Sequence, residues 1–366
     1  MYRGLEVSDF KSIMNSEIAR VNEALDEYLQ MRVEAGKRLG PVHEFYYGNI
    51  REYLMRGGKR LRPVMVVSAY KAVREDVSLR YLYRAACSIE MLHNGSLLHD
   101  DLIDHDEVRR GGPTFHALYR EWYKKHARDD NAKAIDFGMA MAVLGGDSLL
   151  NMGAQIISAS ELPSDIAFEC LRYYQTAYQE LADGVLLEMN MVNDPHVTSD
   201  TYLEMIRLKT AVLFEKSLLM GATMARASES QKKALSQFGI RTGQAFQVQD
   251  DILGSFGDES VTGKSAEGDI REGKKTMLVI EAYRLADESQ RRILDTLLGK
   301  DGMSTEEVEQ VRDVFRDCGA LDSANEIMER LLAEGQGALS QCTPEFREEY
   351  KQFLLDLSNF LIHRTY

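Results

Sequence analysis

From residue 164 to 191, and again from 198 to 228, apolar side chains recur every three or four positions with no proline to interrupt them. That spacing is helical, because a half-buried strand would alternate at every second residue. Only 6 prolines occur in 366 residues, and no convincing alternating run appears anywhere. The chain is therefore expected to be all-α, with roughly a dozen helices, many longer than the usual three turns. Joints are expected near Pro41, Gly57-Gly58, Gly111-Gly112-Pro113, Pro163 and Pro195, where glycine or proline punctuates the pattern. No Pro/Ser-rich linker divides the sequence, so residues 1–366 read as a single domain with a large core.

A formal net charge of -14 argues against a nucleic-acid backbone as the main partner. Small anionic ligands stay open, since a local basic cluster or a bound metal overrides the global sign. Cys87, Cys170, Cys318 and Cys342 are scattered without paired spacing, which suits buried thiols in a reducing compartment. The opening stretch MYRGLEVSDFKSIM has no apolar core of signal-peptide type, and the apolar run near MAMAVLGG is too short to span a bilayer. A cytoplasmic protein without a transmembrane segment is expected.

Within this helical pattern, residues 97–112 read LLHDDLIDHDEVRRGG. Asp100 and Asp104 lie four apart and so project from one helix face, where two carboxylates repel unless a cation bridges them. Mg²⁺ suits such a pair, because it takes one or two carboxylates and completes its shell with water and phosphate oxygens. A solvated acidic face would give the same string. FQVQDDILGSFGD repeats the theme about 150 positions later with Asp250 and Asp251, and Gln247 shares the face of Asp250. Two such helices could face each other across a cavity and grip one diphosphate through several Mg²⁺ ions. GGKRLRP (57–63) sets Lys59, Arg60 and Arg62 beside a glycine pair and an expected helix start at Pro63, which suits a second, metal-free diphosphate site. Arg109 and Arg110 follow the first acidic helix, and His93 lies two turns before Asp100. Taken singly, each basic cluster fits an exposed loop better, and His93 a core histidine. The glycine- and charge-rich segment 256–276 is either a mobile surface loop or a lid bringing Lys264, Lys274 and Lys275 to an anion.

Together, GGKRLRP, LLHDDLIDHDEVRRGG, LKT (208–210), FQVQDDILGSFGD and TGK…GDIREGKKT resemble the trans-prenyl diphosphate synthases, the family of farnesyl and geranylgeranyl diphosphate synthases. The segments stand in the family's order across residues 57–276, and the wording is closest to archaeal-type members. The resemblance implies an all-α bundle around a deep central cavity, dependence on Mg²⁺ and a homodimer. It assigns Asp100, Asp104 and Asp250 to the metal ions, with Asp101, Asp251 and Asp269 in support. Arg109, Lys209, Thr210, Gln247, Lys264 and Lys274 fall to the allylic diphosphate, and Lys59, Arg62, His93 and Arg110 to isopentenyl diphosphate. Gly254 departs from the pattern, standing where some members carry a fifth-position aspartate.

By the same resemblance, an allylic diphosphate (dimethylallyl, geranyl or farnesyl) ionises, isopentenyl diphosphate attacks the cation, and a proton leaves. The Lys209 carbonyl, Thr210 hydroxyl and Gln247 amide oxygen would face that cation. The small Gly95 and Ser96, five and four positions before Asp100, imply a product longer than fifteen carbons, with the twenty-carbon geranylgeranyl diphosphate favoured. A class I terpene cyclase has no second substrate and no need of GGKRLRP. A non-catalytic regulatory subunit would be expected to lose carboxylates that both clusters retain here. A purely structural helical protein leaves five matching segments to coincidence.

Overall fold

The computed structural model describes residues 7–75, 79–127, 130–192, 194, 196–257 and 267–363. The chain is all-α. Helix α1 spans Val7–Leu39, α2 Pro41–Met55, α3 Leu61–Val73, α4 Leu79–Ile103 and α5 Phe115–His126. Then come α6 (Asn131–Ser158), α7 (Ser164–Met191), α8 (Ser199–Ile206), α9 (Val212–Met224) and α10 (Glu229–Phe256). Shorter helices follow at Gly268–Arg271, Met277–Leu285, Glu288–Leu297 and Thr305–Asp317, before longer ones at Ala320–Ser340 and Glu348–Ile362.

The punctuation behaves as its chemistry dictates. Pro41 opens α2 at a position where the missing N–H costs nothing. Ser228 caps α10 in a reciprocal box with Gln231, satisfying donors that helix geometry leaves orphaned. Helix α3 starts at Leu61 rather than at Pro63, because Arg60 adopts a left-handed conformation (φ 48°) and turns the chain first. Pro63 then falls in the first turn, which tolerates it. The Pro195 joint lies outside the described residues.

A short hairpin has no counterpart in the sequence pattern. Val108–Arg109 (β1) pairs antiparallel with Gly112–Pro113 (β2) around Arg110 and Gly111, both at positive φ (52° and 72°). Two left-handed central residues match the right-handed twist of a two-residue hairpin. A ladder of two residues a side is too short to produce alternation.

Contacts divide the chain into two compact units, neither of them a continuous stretch. The first takes residues up to Thr176, Ser217–Ala227 and Arg347–Phe353; the second takes Ala177–Lys216, Ser228–Phe346 and the chain from Leu354 on. In the first, Leu25, Leu29, Ile50, Leu54, Phe115 and Leu149 form a sealed core. Helix α6 packs along α4 in that unit through glycines. A Cβ on Gly146 would lie 2.1 Å from His99 Nε2, and one on Gly145 would lie 2.8 Å from Leu98 Cδ2. Their absence lets the backbone of α6 approach the helix that carries the first acidic motif. The second unit buries Ile206, Val248, Leu278, Val311, Phe315 and Leu331. There α10 lies along Ala320–Ser340. Cys87, Cys170 and Cys342 are buried and Cys318 is half-buried, all four as thiols outside any disulfide. Among the described residues, no helix is long and apolar enough to cross a membrane.

Candidate active site

The first acidic motif ends α4. Asp100 is half-buried in its last turn, and Asp104 is exposed in the turn beyond, its N–H bonded to the Asp100 carbonyl at 2.8 Å. Helical spacing therefore persists, and the two carboxylates keep the relation the sequence implies. A helix C-terminus already carries partial negative charge from unpaired carbonyls, so acids there are uphill without a cation. Asp101 points the other way. It is fully buried, taking a hydrogen bond from the Tyr53 hydroxyl at 2.9 Å and another from Arg109 Nε. Burial pushes its carboxyl upward, against the pull of Arg109 and of the Tyr53 hydrogen bond. Asp101 thus anchors the motif and orients Arg109, which also reaches Asp106 at 3.2 Å.

The β1–β2 turn and the GGKRLRP loop meet over this helix. Gly58 lets the Arg110 guanidinium lie against the loop, since a Cβ there would sit 3.3 Å from Arg110 Cζ. Arg110 donates to Asn94 Oδ1 at 3.2 Å, and Asn94 donates to Glu90 at 3.0 Å. Arg60 turns inward instead of serving an anion. It pairs with Glu90 at 2.7 Å and donates to the Leu54 carbonyl and to Asn22, with its side chain 1% exposed. Lys59 is exposed and Arg62 half-buried. Arg62 lies 3.1 Å from His93 Nε2. Burial holds the His93 imidazole well below its usual pKa, and Arg62 and Arg110 reinforce that, so the ring is neutral and accepts from Arg62. The structure thus brings Arg62 to His93, ties Arg110 back to Asn94, and sets Arg60 apart as a structural residue.

Gly95 packs against α6, where a Cβ would lie 3.0 Å from the Gly146 carbonyl and 3.2 Å from Leu150 Cγ. Ser96 is buried, and its hydroxyl donates to the His93 carbonyl at 2.9 Å.

In the second unit the same division recurs. Asp250 is half-buried, whereas Asp251 is 3% exposed and accepts from the Tyr202 hydroxyl and, at 3.1 Å, from Gln247 Nε2. Burial pushes the Asp251 carboxyl up to about 6 despite Lys274, whose charge acts the other way. Gln247 Oε1 accepts from the Thr210 hydroxyl at 2.9 Å. Asp251, Tyr202, Gln247 and Thr210 line a pocket of about 180 Å³ with Glu188, Met191, Met205, Ile206, Lys209 and Lys274. Lys209 pairs with Glu188. Burial works against the charge on Lys274, but Asp251, Asp269, Glu188 and Glu272 outweigh it and hold its pKa above the usual lysine range. Asp269 lies 3.9 Å from Lys274. Lys264 lies outside the described residues.

Lys209 and Thr210 sit in a π-helical turn, Arg207–Ala211, which re-registers the backbone at these two residues. Two glycines clamp that turn. A Cβ on Gly184 would lie 2.5 Å from the Lys209 nitrogen, and one on Gly243 would lie 2.5 Å from Ala211 Cα.

Among the described residues, no three His, Cys, Asp or Glu side chains converge on one metal position. One or two carboxylates per helix is the donor set of Mg²⁺, which draws its remaining ligands from water and substrate phosphate, so these residues fit that ion. Sequence reasoning missed Tyr53, Tyr202, Glu90, Asn94 and Glu188. The one available signal was general: a tyrosine on the core side of a helix needs a partner for its hydroxyl.

Residues 43–315 match the family described as polyprenyl synthetase. The chain is 32% identical to a short chain isoprenyl diphosphate synthase of Methanocaldococcus jannaschii, over 94% of each chain. It is 33% identical to a geranylgeranyl pyrophosphate synthase of Geoglobus acetivorans, over 97% of this chain and 99% of the relative. A crystal structure of geranylgeranyl pyrophosphate synthase from Corynebacterium glutamicum, complexed with isoprenyl diphosphate and magnesium, superposes with a TM-score of 0.87 at 26% identity, over 99% of this chain and 100% of that one. The chain belongs to the polyprenyl synthetase family and is a prenyltransferase of isoprenoid biosynthesis.

Proposed function

We propose that the protein condenses isopentenyl diphosphate with allylic diphosphates, in the cytoplasm, to give an all-trans prenyl diphosphate of twenty carbons or more. The observation that carries this reading is the division of labour within each aspartate pair. One residue of each pair, Asp100 or Asp250, is half-buried, and its neighbour is buried on a tyrosine hydroxyl. Asp100, Asp104 and Asp250 are the residues to hold Mg²⁺. When bound, that ion neutralises the charge that develops on a departing diphosphate. Arg109 in the first unit, and Lys209 and Lys274 in the second, are the residues to add cationic stabilisation for diphosphate oxygens, and Lys264 joins them by resemblance. Arg62, Arg110, Lys59 and the neutral His93 receive the second diphosphate, with Arg62 preset by the imidazole. The Lys209 carbonyl, Thr210 and Gln247 turn oxygen toward the allylic carbon. Apolar Met191, Met205 and Ile206 keep water from it.

Two features concern the whole protein. Neither compact unit is a continuous stretch of chain, which favours one catalytic domain over residues 1–366. On α6, Ile135, Met139, Val143 and Leu144 are 43 to 51% exposed, and the first three follow at four-residue spacing. Such an apolar stripe suits a second copy of the chain.

Incubating the purified protein with Mg²⁺, labelled isopentenyl diphosphate and dimethylallyl, geranyl or farnesyl diphosphate in turn tests the reading. The expected products are geranylgeranyl diphosphate and longer chains, lost with EDTA. Hydrocarbon released from an allylic diphosphate alone would establish a cyclase instead.

A further inference from the structure

Asp251 stands beside a residue assigned to metal, yet both of its oxygens are already engaged by protein. Oδ2 accepts from the Tyr202 hydroxyl, and Oδ1 accepts from Gln247 Nε2 at 3.1 Å. The next link is Thr210 Oγ1 donating to Gln247 Oε1 at 2.9 Å. Tyr202, Thr210, Gln247 and Asp251 all line one pocket of about 180 Å³.

The direction of this chain of bonds has a single origin. An ionised carboxylate only accepts, so Gln247 must present its NH₂ to Asp251 and turn its carbonyl oxygen the other way. That oxygen then draws the proton of Thr210 toward itself, leaving the threonine lone pairs free to point elsewhere. Remove the carboxylate end, and nothing distinguishes the two faces of the Gln247 amide. A flipped amide would aim N–H, with its partial positive charge, where a cation is to form.

We propose that Tyr202 and Asp251 are a positioning pair that sets the polarity of Gln247 and Thr210, so that oxygen faces the cationic carbon of the allylic substrate. The inference rests on the prenyl-transfer reading and adds to it two residues that act through others. Tyr202 locks the carboxylate from α8, and the carboxylate locks the amide one turn earlier on α10.

The test is a double-mutant cycle on turnover. For Tyr202→Phe, kcat is expected to fall roughly tenfold to a hundredfold, as for loss of one hydrogen bond to a charged group. KM for both substrates and the half-saturating Mg²⁺ concentration are expected to stay within about twofold. In a Gln247→Leu background, Tyr202→Phe is expected to cost nothing further, because there is no amide left to orient. Three results overturn the proposal: kcat of Tyr202→Phe within twofold of wild type, an undiminished loss in the Gln247→Leu background, or a loss that appears as a shift in Mg²⁺ half-saturation. If Tyr202→Phe does not fold, Asp251→Asn enters the same cycle with the same criteria. Wild-type protein without condensation activity overturns the prenyl-transfer reading and this relay with it. An active wild type with an indifferent Tyr202→Phe overturns the relay alone.

Discussion

At position 254 a missing side chain is accounted for by a neighbour's. The sequence shows only a glycine where an aspartate was expected, which put an accessory contact in doubt. A Cβ there would lie 2.4 Å from Asp269 Oδ2, so the carboxylate of Asp269 occupies the space a fifth-position side chain would need. Arg60 and Arg62 make the complementary case. Two residues apart in one basic string, they read alike in the sequence, yet Arg60 is buried on Glu90 and Arg62 lies beside His93. Residue identity gives the charge; only packing decides whether it faces a ligand or the core. Arg62→Ala is therefore expected to raise the KM for isopentenyl diphosphate about tenfold to a hundredfold, the worth of one charge-assisted hydrogen bond, with little effect on that for the allylic primer. Steady-state kinetics with each substrate varied in turn checks this, and equal effects on both would refute the division between the two sites.

Helices were legible because their period runs over many residues, and the joints at Pro41 and Gly57-Gly58 were legible because few residues can occupy them. The β1–β2 hairpin and the π-helical turn were not, since each is a departure of six residues or fewer held by distant packing. The π-helical turn depends on Gly184 and Gly243, whose absent side chains make room for backbone rather than for flexible atoms. Gly184→Ala is expected to displace Lys209 and lower kcat by at least tenfold while the helical circular dichroism persists. A fully active Gly184→Ala would show that the turn does not need this clamp. On α4, helical spacing puts Ser96 near the aspartate face and Gly95 round to the side, and Gly95 is tight against α6. A phenylalanine there would force the two helices apart, so the usable test of product length is Ser96→Phe. It is expected to shorten the main product by at least one five-carbon unit, read by chromatography of the dephosphorylated products. An unchanged distribution from an active variant would move the length determinant elsewhere.

Over the whole molecule, the proposed reading has a chain of net charge -14 handle two diphosphates by concentrating its cations locally: Arg62, Arg109 and Arg110 in one unit, Lys209 and Lys274 in the other. The apolar stripe on α6 carries the expectation of a dimer. Met139→Glu with Val143→Glu should lower the sedimenting mass toward that of one 41.5 kDa chain, and a wild type that sediments as a monomer would remove the premise. The most direct measurement is condensation by Asp100→Ala and Asp250→Ala at saturating Mg²⁺, with far-UV circular dichroism recorded on the same samples. Neither residue is among the buried core residues, so helicity should be retained while turnover is lost. Near wild-type condensation by either variant would contradict the assignment of these residues to the metal.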